Sequence, residues 1–249
     1  MKLTRSCSSV LLVSVLAAFG CESKKPEGAA PTPTTSPAPN ATTAAAKPTS
    51  APAADKKSYP SPNDFNLVPL AVGQWIRLAI TTEGQPPSQT FIRIVGKEGD
   101  AFWCEIEQNM PTGTTVIQFL MDEASRNDFK PNSIKKLKIS VNKGPWQELT
   151  GPALAASGAM TEKYLRMIGK PNLDKAARGD ATVGAGEFKG CYLHPYDETI
   201  LGVTMKMQSW NHPAVPINGL VRSEGTASGK KTTTELLEMH LEGAKSVVP

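Results

Sequence analysis

Between residues 75 and 121 the chain alternates apolar and polar side chains four times over, with a turn after each run. "WIRLAIT" sets Ile76, Leu78 and Ile80 against Arg77 and Ala79, and "EGQPPSQ" ends it. "TFIRIVG" follows, then "KEGD". "AFWCEIEQN" places Phe102, Cys104 and Ile106 on one side and Trp103, Glu105 and Glu107 on the other; "MPTG" leads into "TTVIQFLM". Residues two apart share one face of a strand, so each run is committed to a sheet with one buried face. The pattern predicts a meander of four short strands. By the same parity Glu105 and Glu107 share a face with Trp103, and that face is expected to be solvated.

Downstream the pattern loosens. "DEASRNDFKPN" is a connector with room for one helical turn, and "SIKKLKISVN" alternates Leu137, Ile139 and Val141 with lysine and serine. "LAASGAMTEKYLRMIGK" is the one main helix expected. Leu154, Ala155, Met160, Tyr164, Leu165 and Ile168 form its buried side, and Gly169 and Pro171 end it. Strand patterns return in "EFKGCYLH", "ETILGVTMKMQSW", "GLVRSEG" and "TTTELLEMHLEG", the last two joined by the hairpin-like "TASGKK". The class is mainly β (α+β), and residues 61–249 are the size of one domain.

Residues 22–60 differ in kind. "PTPTTSPAPNATTAAAKPTSAPAAD" has no apolar periodicity and no aromatic residue. It buries too little to offset its ordering entropy and is expected to be a disordered tether. Extended at about 3.1 Å per residue, it reaches roughly 100 Å. The tether holds five lysines and three acids, and the first five residues hold Lys2 and Arg5. That leaves 61–249 neutral, with 20 basic and 20 acidic side chains, against a formal +4 for the whole chain. A neutral domain lacks the field that neutralises phosphates, so no nucleic-acid partner is expected.

In front of the tether, "MKLTR" precedes an apolar run over residues 10–19. Crossing a bilayer takes roughly 20 helical residues, so ten are too few, and residues 1–20 read as a secretory signal peptide. The seam is Ala18-Phe19-Gly20-Cys21. It resembles the lipobox of bacterial lipoproteins, with Ala18 where leucine is commoner and Phe19 bulkier than usual. The resemblance implies cleavage before Cys21, a diacylglyceryl group on its thiol, and a membrane as partner through that lipid. One acyl chain, at about 0.8 kcal/mol per buried CH₂, holds a protein only marginally; two or three hold it stably. Ordinary cleavage after the small-x-small Ala18-Phe19-Gly20 would cut the same bond. Glu22 is not the aspartate associated with inner-membrane retention in enteric bacteria, which points to the outer membrane of a cell envelope.

Three further stretches carry a second resemblance: residues 210–224 ("WNHPAVPINGLVRSE"), Val72-Gly73-Gln74-Trp75, and "AGEFKGC" at 185–191. They resemble the lipoprotein-carrier domains of LolA and LolB type. That likeness implies a curved antiparallel sheet, or incomplete barrel, around the helix, with a concave face that holds acyl chains. The ligand expected is a lipid or an envelope protein. Met160, Leu165, Met167 and Ile168 of the helix, with Met205 and Met207 of a facing strand, would line such a pocket; ordinary core filling is the other reading of the same residues.

The remaining chemistry is sparse. Cys104 and Cys191 form an even pair in an oxidising compartment, open to a disulfide or to two separate buried thiols. Cys191-Tyr192-Leu193-His194 has metal-like spacing, but on a strand residues i and i+3 diverge. No metal and no cofactor is expected. His194 is expected at a strand end, and His212 and His240 at the surface or half-buried. Trp75, Trp103, Trp146 and Trp210 are expected to pack in the core, an aromatic-lined pocket for an apolar ligand being the other reading. Ser133-Ile134-Lys135-Lys136 matches S-x-x-K, but it opens a strand rather than a helix, and no nucleophile elbow or phosphate loop is present. The expectation is a binding domain with no catalytic residues; a structural or scaffolding envelope lipoprotein with a filled core is the alternative, and an unrecognised hydrolase a remote third reading.

The lipid assignment has a direct consequence. Cys21→Ser should convert a protein that pellets with membranes into a soluble one. If the serine variant still resists salt and carbonate extraction in fractionation, the acyl anchor is refuted.

Overall fold

A computed structural model describes residues 57–127, 133–171, 173, 176–200 and 203–248. The signal peptide, Cys21 and nearly all of the tether lie outside these residues. Within them the meander appears as expected: β2 (Trp75–Thr82), β3 (Ser88–Glu98), β4 (Ala101–Met110) and β5 (Gly113–Asp122). A short 3₁₀ turn, Glu123–Arg126, leads to β6 (Ile134–Val141) and β7 (Gln147–Leu149). After the helices come β8 (Ala177–Val183), β9 (Gly186–Ile200), β10 (Val203–Asn211), β11 (Leu220–Ala227) and β12 (Lys230–His240). With the two-residue β1 (Ser58–Tyr59) they make one open, curved 12-stranded sheet. Its order is β1-β9-β10-β11-β12-β2-β3-β4-β5-β6-β7, with β8 also on β9. Every pairing is antiparallel except β1 on β9, where Ser58 and Tyr59 face Glu187 and Phe188.

Cross-strand register stacks one residue type into the core. Ile76 faces Ile92, Ile92 faces Ile106, Ile106 faces Ile117, and Ile117 faces Ile139. The next row runs Ile94, Cys104, Phe119, Leu137 and Leu149. β-Branched and aromatic pairs of this kind are the unit of sheet stabilisation, at about 0.2–1 kcal/mol each. Turn chemistry sets the register at the β11–β12 hairpin. Ser228 and Gly229 both have positive φ, 49° and 75°, as a two-residue turn with the twist of its strands requires.

The expected single helix is two, α1 (Gly151–Ala156) and α2 (Gly158–Ile168). Ser157 divides them: its hydroxyl donates to the Leu154 carbonyl at 2.6 Å, a local bond that competes with the helix ladder, and the poor helix former Gly158 follows. α2 seats Tyr164, Leu165 and Ile168 in the core, with the Tyr164 ring 6.4 Å from Phe119. Leu154 is half-buried and Ala155 exposed, so α1 contributes less to the buried side than the pattern suggested. At the far end of α2, Asn218 Nδ2 donates to the Met167 carbonyl and the Lys170 N–H to the Arg126 carbonyl.

Candidate functional site

The face of β2–β6 that points away from the isoleucine row carries a second ladder. His240 faces Trp75, which faces Arg93; then follow Glu105, Gln118, Lys138 and Glu148 on successive strands. A parallel row holds Glu238, Arg77, Phe91, Glu107, Val116 and Ser140. The alternation of Glu105 and Glu107 with the core residues of β4 is as expected. Their solvation is not: Glu105 is 0% exposed and Glu107 4%.

Two features keep water out. Arg93, itself 9% exposed, divides its guanidinium between them, Nη1 donating to Glu105 Oε1 at 3.0 Å and Nη2 to Glu107 Oε2 at 2.6 Å. The Phe91 ring lies 4.6 Å from the guanidinium carbon, and Lys143 Nζ approaches Glu107 Oε1 at 3.5 Å. The second feature is the C-terminal segment. The Ala244 N–H bonds the Gly73 carbonyl, which ties the segment to the end of β2. Ser246 Oγ donates to Glu105 Oε2 at 2.8 Å, Gln118 Nε2 donates to the same oxygen at 2.9 Å, and Val248 is 4% exposed. Both oxygens of Glu105 are thus satisfied, as a carboxylate taken out of water requires.

Beside this segment a groove of about 500 Å³ is lined by Trp103, Trp146, Lys136, Lys138, Glu98, Glu148, Gln118 and Val248, among others. Trp103 and Trp75 therefore lie on the outer face rather than in the core; Trp210 alone of the four packs against the core cluster. Trp75 stacks on His240 with ring centres 4.5 Å apart.

The described residues expected to line an acyl pocket fall on α2 and β10. Leu165 and Ile168 are fully buried in the core cluster, and Met167 is half-buried against it. Met207 lines a separate surface hollow with Pro195, Tyr196, Asp197, Lys206, Gln208 and Glu224, and Met205 is half-buried on the same strand. The Met160 side chain lies outside the described residues.

The disulfide alternative is corrected. Cys104 on β4 and Cys191 on β9 are separate, buried, free thiols. Five strands stand between theirs in the sheet order. Burial pushes each thiol up to about 12, so neither is a ready nucleophile. His194 lies within β9 rather than at its end and stacks on Tyr196 at 6.1 Å. His212 is not at the surface either: it is 2% exposed, set edge-on to Phe188. Its Nδ1 accepts from the Ala214 N–H, so Nε2 carries the proton and donates to the Pro60 carbonyl at 3.0 Å. Burial lowers its pKa despite that bond.

Among the described residues no group of three or more His, Cys, Asp or Glu converges as metal ligands. No described helix is long and apolar enough to cross a membrane. No family model matches the chain, and no curated protein matches it. Three solved structures are similar in outline. One is a protein of Bacteroides fragilis described as exported and of YmcC-like fold, with TM-score 0.38, 10% identity, and 70% of this chain and 98% of that one covered. Another, from Parabacteroides distasonis and described as a lipoprotein, gives TM-score 0.34 and 13% identity over 69% and 97% of the two chains. A hypothetical protein of Chlamydia trachomatis gives 0.33 and 9% over 72% and 92%.

Two measurements check this geometry. Arg93→Met leaves two buried carboxylates without their cation and should cost about 3–5 kcal/mol in urea unfolding; adding Glu105→Gln and Glu107→Gln should recover much of that loss. An equal loss in the triple variant would mean the arginine matters for packing alone. On the mature chain, a disulfide reagent at pH 8 should find no reactive thiol in the native state and both Cys104 and Cys191 after denaturation without reductant. None after denaturation would establish the bridge.

Proposed function

We propose that this chain is an exported lipoprotein of the cell envelope, held in a membrane by acyl chains on Cys21, and that its folded part is a non-catalytic domain that binds an envelope partner with its surface. The outer membrane is the site favoured by Glu22. The observation that carries the surface reading is the filled interior. α2 packs its Tyr164, Leu165 and Ile168 side chains into the core cluster beneath the sheet, 4%, 1% and 1% exposed. The carrier-type pocket over Met160, Leu165, Met167, Ile168, Met205 and Met207 is therefore not part of this proposal.

A non-catalytic role is supported by how the charged groups are used. The two carboxylates drawn together on β4 both engage Arg93, and Glu105 has no oxygen left for a proton transfer. The two described thiols are held far from the thiolate form.

Native mass spectrometry of the chain extracted from its membranes tests the proposal. The expected species carries the covalent lipid on Cys21 and retains no further acyl ligand, and the domain takes up no hydrophobic dye until it unfolds. A fatty acid or phospholipid that stays bound and is displaced by such a dye would restore the carrier reading. A chain that carries no covalent lipid would overturn the anchor.

A further inference from the structure

The groove beside the C-terminal segment is built differently from the rest of the surface. Its aromatic residues are Trp103, on the outer row with Gly96, Leu120 and Lys136, and Trp146, just before β7. Both are half-buried, so part of each indole remains open to the groove. Lys138 and Glu148 are register partners on β6 and β7, yet among the described residues they form no ion pair with each other. Lys138 instead extends over Trp103, its Nζ 4.8 Å from the ring centre. Across the groove Lys136 Nζ bonds Glu98 Oε1 at 2.7 Å, and the buried Gln118, its NH2 bonded to Glu105 and Ser246, forms part of the wall.

We propose that this groove is a binding site for a neutral saccharide. The proposal deepens the surface-binding reading above and rests on it. A sugar ring has an apolar face of C–H bonds and an equatorial rim of hydroxyls. The face suits an indole, and the rim needs donors and acceptors around it. Trp103 and Trp146 supply the first. Lys138 Nζ as donor and the Glu148 carboxylate as acceptor supply the second, with both signs of hydrogen-bonding capacity within one groove; Gln118, whose NH2 is spent on Glu105 and Ser246, adds only its carbonyl oxygen. Other ligands fit worse. An acyl chain would desolvate Lys138 and Glu148 and give them nothing in return. A polyphosphate would meet Glu98 and Glu148. A volume of about 500 Å³ lies within the range of small-ligand sites, roughly 300–1,000 Å³.

The test uses the mature lipidated chain in micelles of lauryldimethylamine oxide, a detergent without a sugar head. Maltotriose, cellotriose and chitotriose are titrated separately and followed by tryptophan fluorescence. At least one is expected to give a saturable change. Trp103→Ala should weaken it about tenfold or more, and Trp146→Ala and Glu148→Gln should each weaken it several-fold. Trp75→Ala, which removes an indole of the same face outside the groove, should leave the affinity unchanged. Thermal melts identify any variant that fails to fold, and Glu148→Gln, on the exposed rim, keeps the comparison intact if Trp103→Ala is lost. No saturable change with any of the three sugars overturns the saccharide site, as does a change that both Trp146→Ala and Glu148→Gln leave untouched. Either failure leaves the surface-binding reading standing, because that reading falls only to a retained acyl ligand or an absent anchor.

Discussion

The register of β2 through β6 is the constraint on which both faces of the sheet depend. One row of partners, Ile76 to Ile139, is entirely isoleucine, and the neighbouring outer row runs from Trp75 through Arg93 and Glu105 to Lys138. A slip of one residue between any two of these strands would turn one strand's whole set over. It would place Arg93 or the two glutamates of β4 under α2 and expose isoleucine to water. The penalty is double, because burying an unpaired charge is costly and the apolar burial is lost with it. The helix, the C-terminal segment and the groove all sit on faces that this register creates.

The strands of the meander were legible because their information is local. Alternation, turn residues and strand length all lie within a dozen residues of one another, and β2 to β6 follow from them. The hairpin between β9 and β10 was harder. "ETILGVTMKMQSW" reads as one strand because its apolar residues continue through the reversal, whereas the structure pairs Thr199 with Thr204. β1, β7 and β8 escaped for another reason. β1 is two residues and β7 three, too short to show a period, and "ARGDATV" of β8 carries glycine and aspartate where a strand propensity would be sought. They become strands because β9 and β6 have edges to offer.

The candidate site was legible only in its parity. That Trp103, Glu105 and Glu107 share a face follows from spacing. That this face is partly dry does not, because the residue that caps Glu105 is Ser246, 141 positions away. The same holds for Cys104 and Cys191. Their even number suggested a bridge, and only the strand order shows them apart. His212 also depended on distant chain. Its place beneath Pro60, Tyr59 and Phe188 is set by the parallel pairing of β1, which no local pattern announces. What remained within reach was the interior surface of α2, since Tyr164, Leu165 and Ile168 are spaced as one helical face.

The Arg93 cluster and the isoleucine row support each other in unequal ways. The isoleucines supply favourable burial, and any set of similar size would do much the same. The ionic cluster supplies little net stability, since the desolvation of three charged groups offsets most of their attraction. Its effect is on alternatives. In the observed register one guanidinium meets two carboxylates, and the other oxygen of Glu105 is satisfied by the Gln118 amide N–H and the Ser246 hydroxyl. If β3 slipped by two residues on β4, Ile92 would stand opposite Cys104 in one direction, still an apolar partner, and opposite Gln108 in the other, so in the first case packing alone would discriminate weakly. Arg93 would then stand opposite Trp103 or Glu107 rather than Glu105, and the shared grip on both glutamates would be lost. Apolar patterning selects the face and the buried charges select the register along it. The C-terminal segment closes over the cluster only when that register is the correct one.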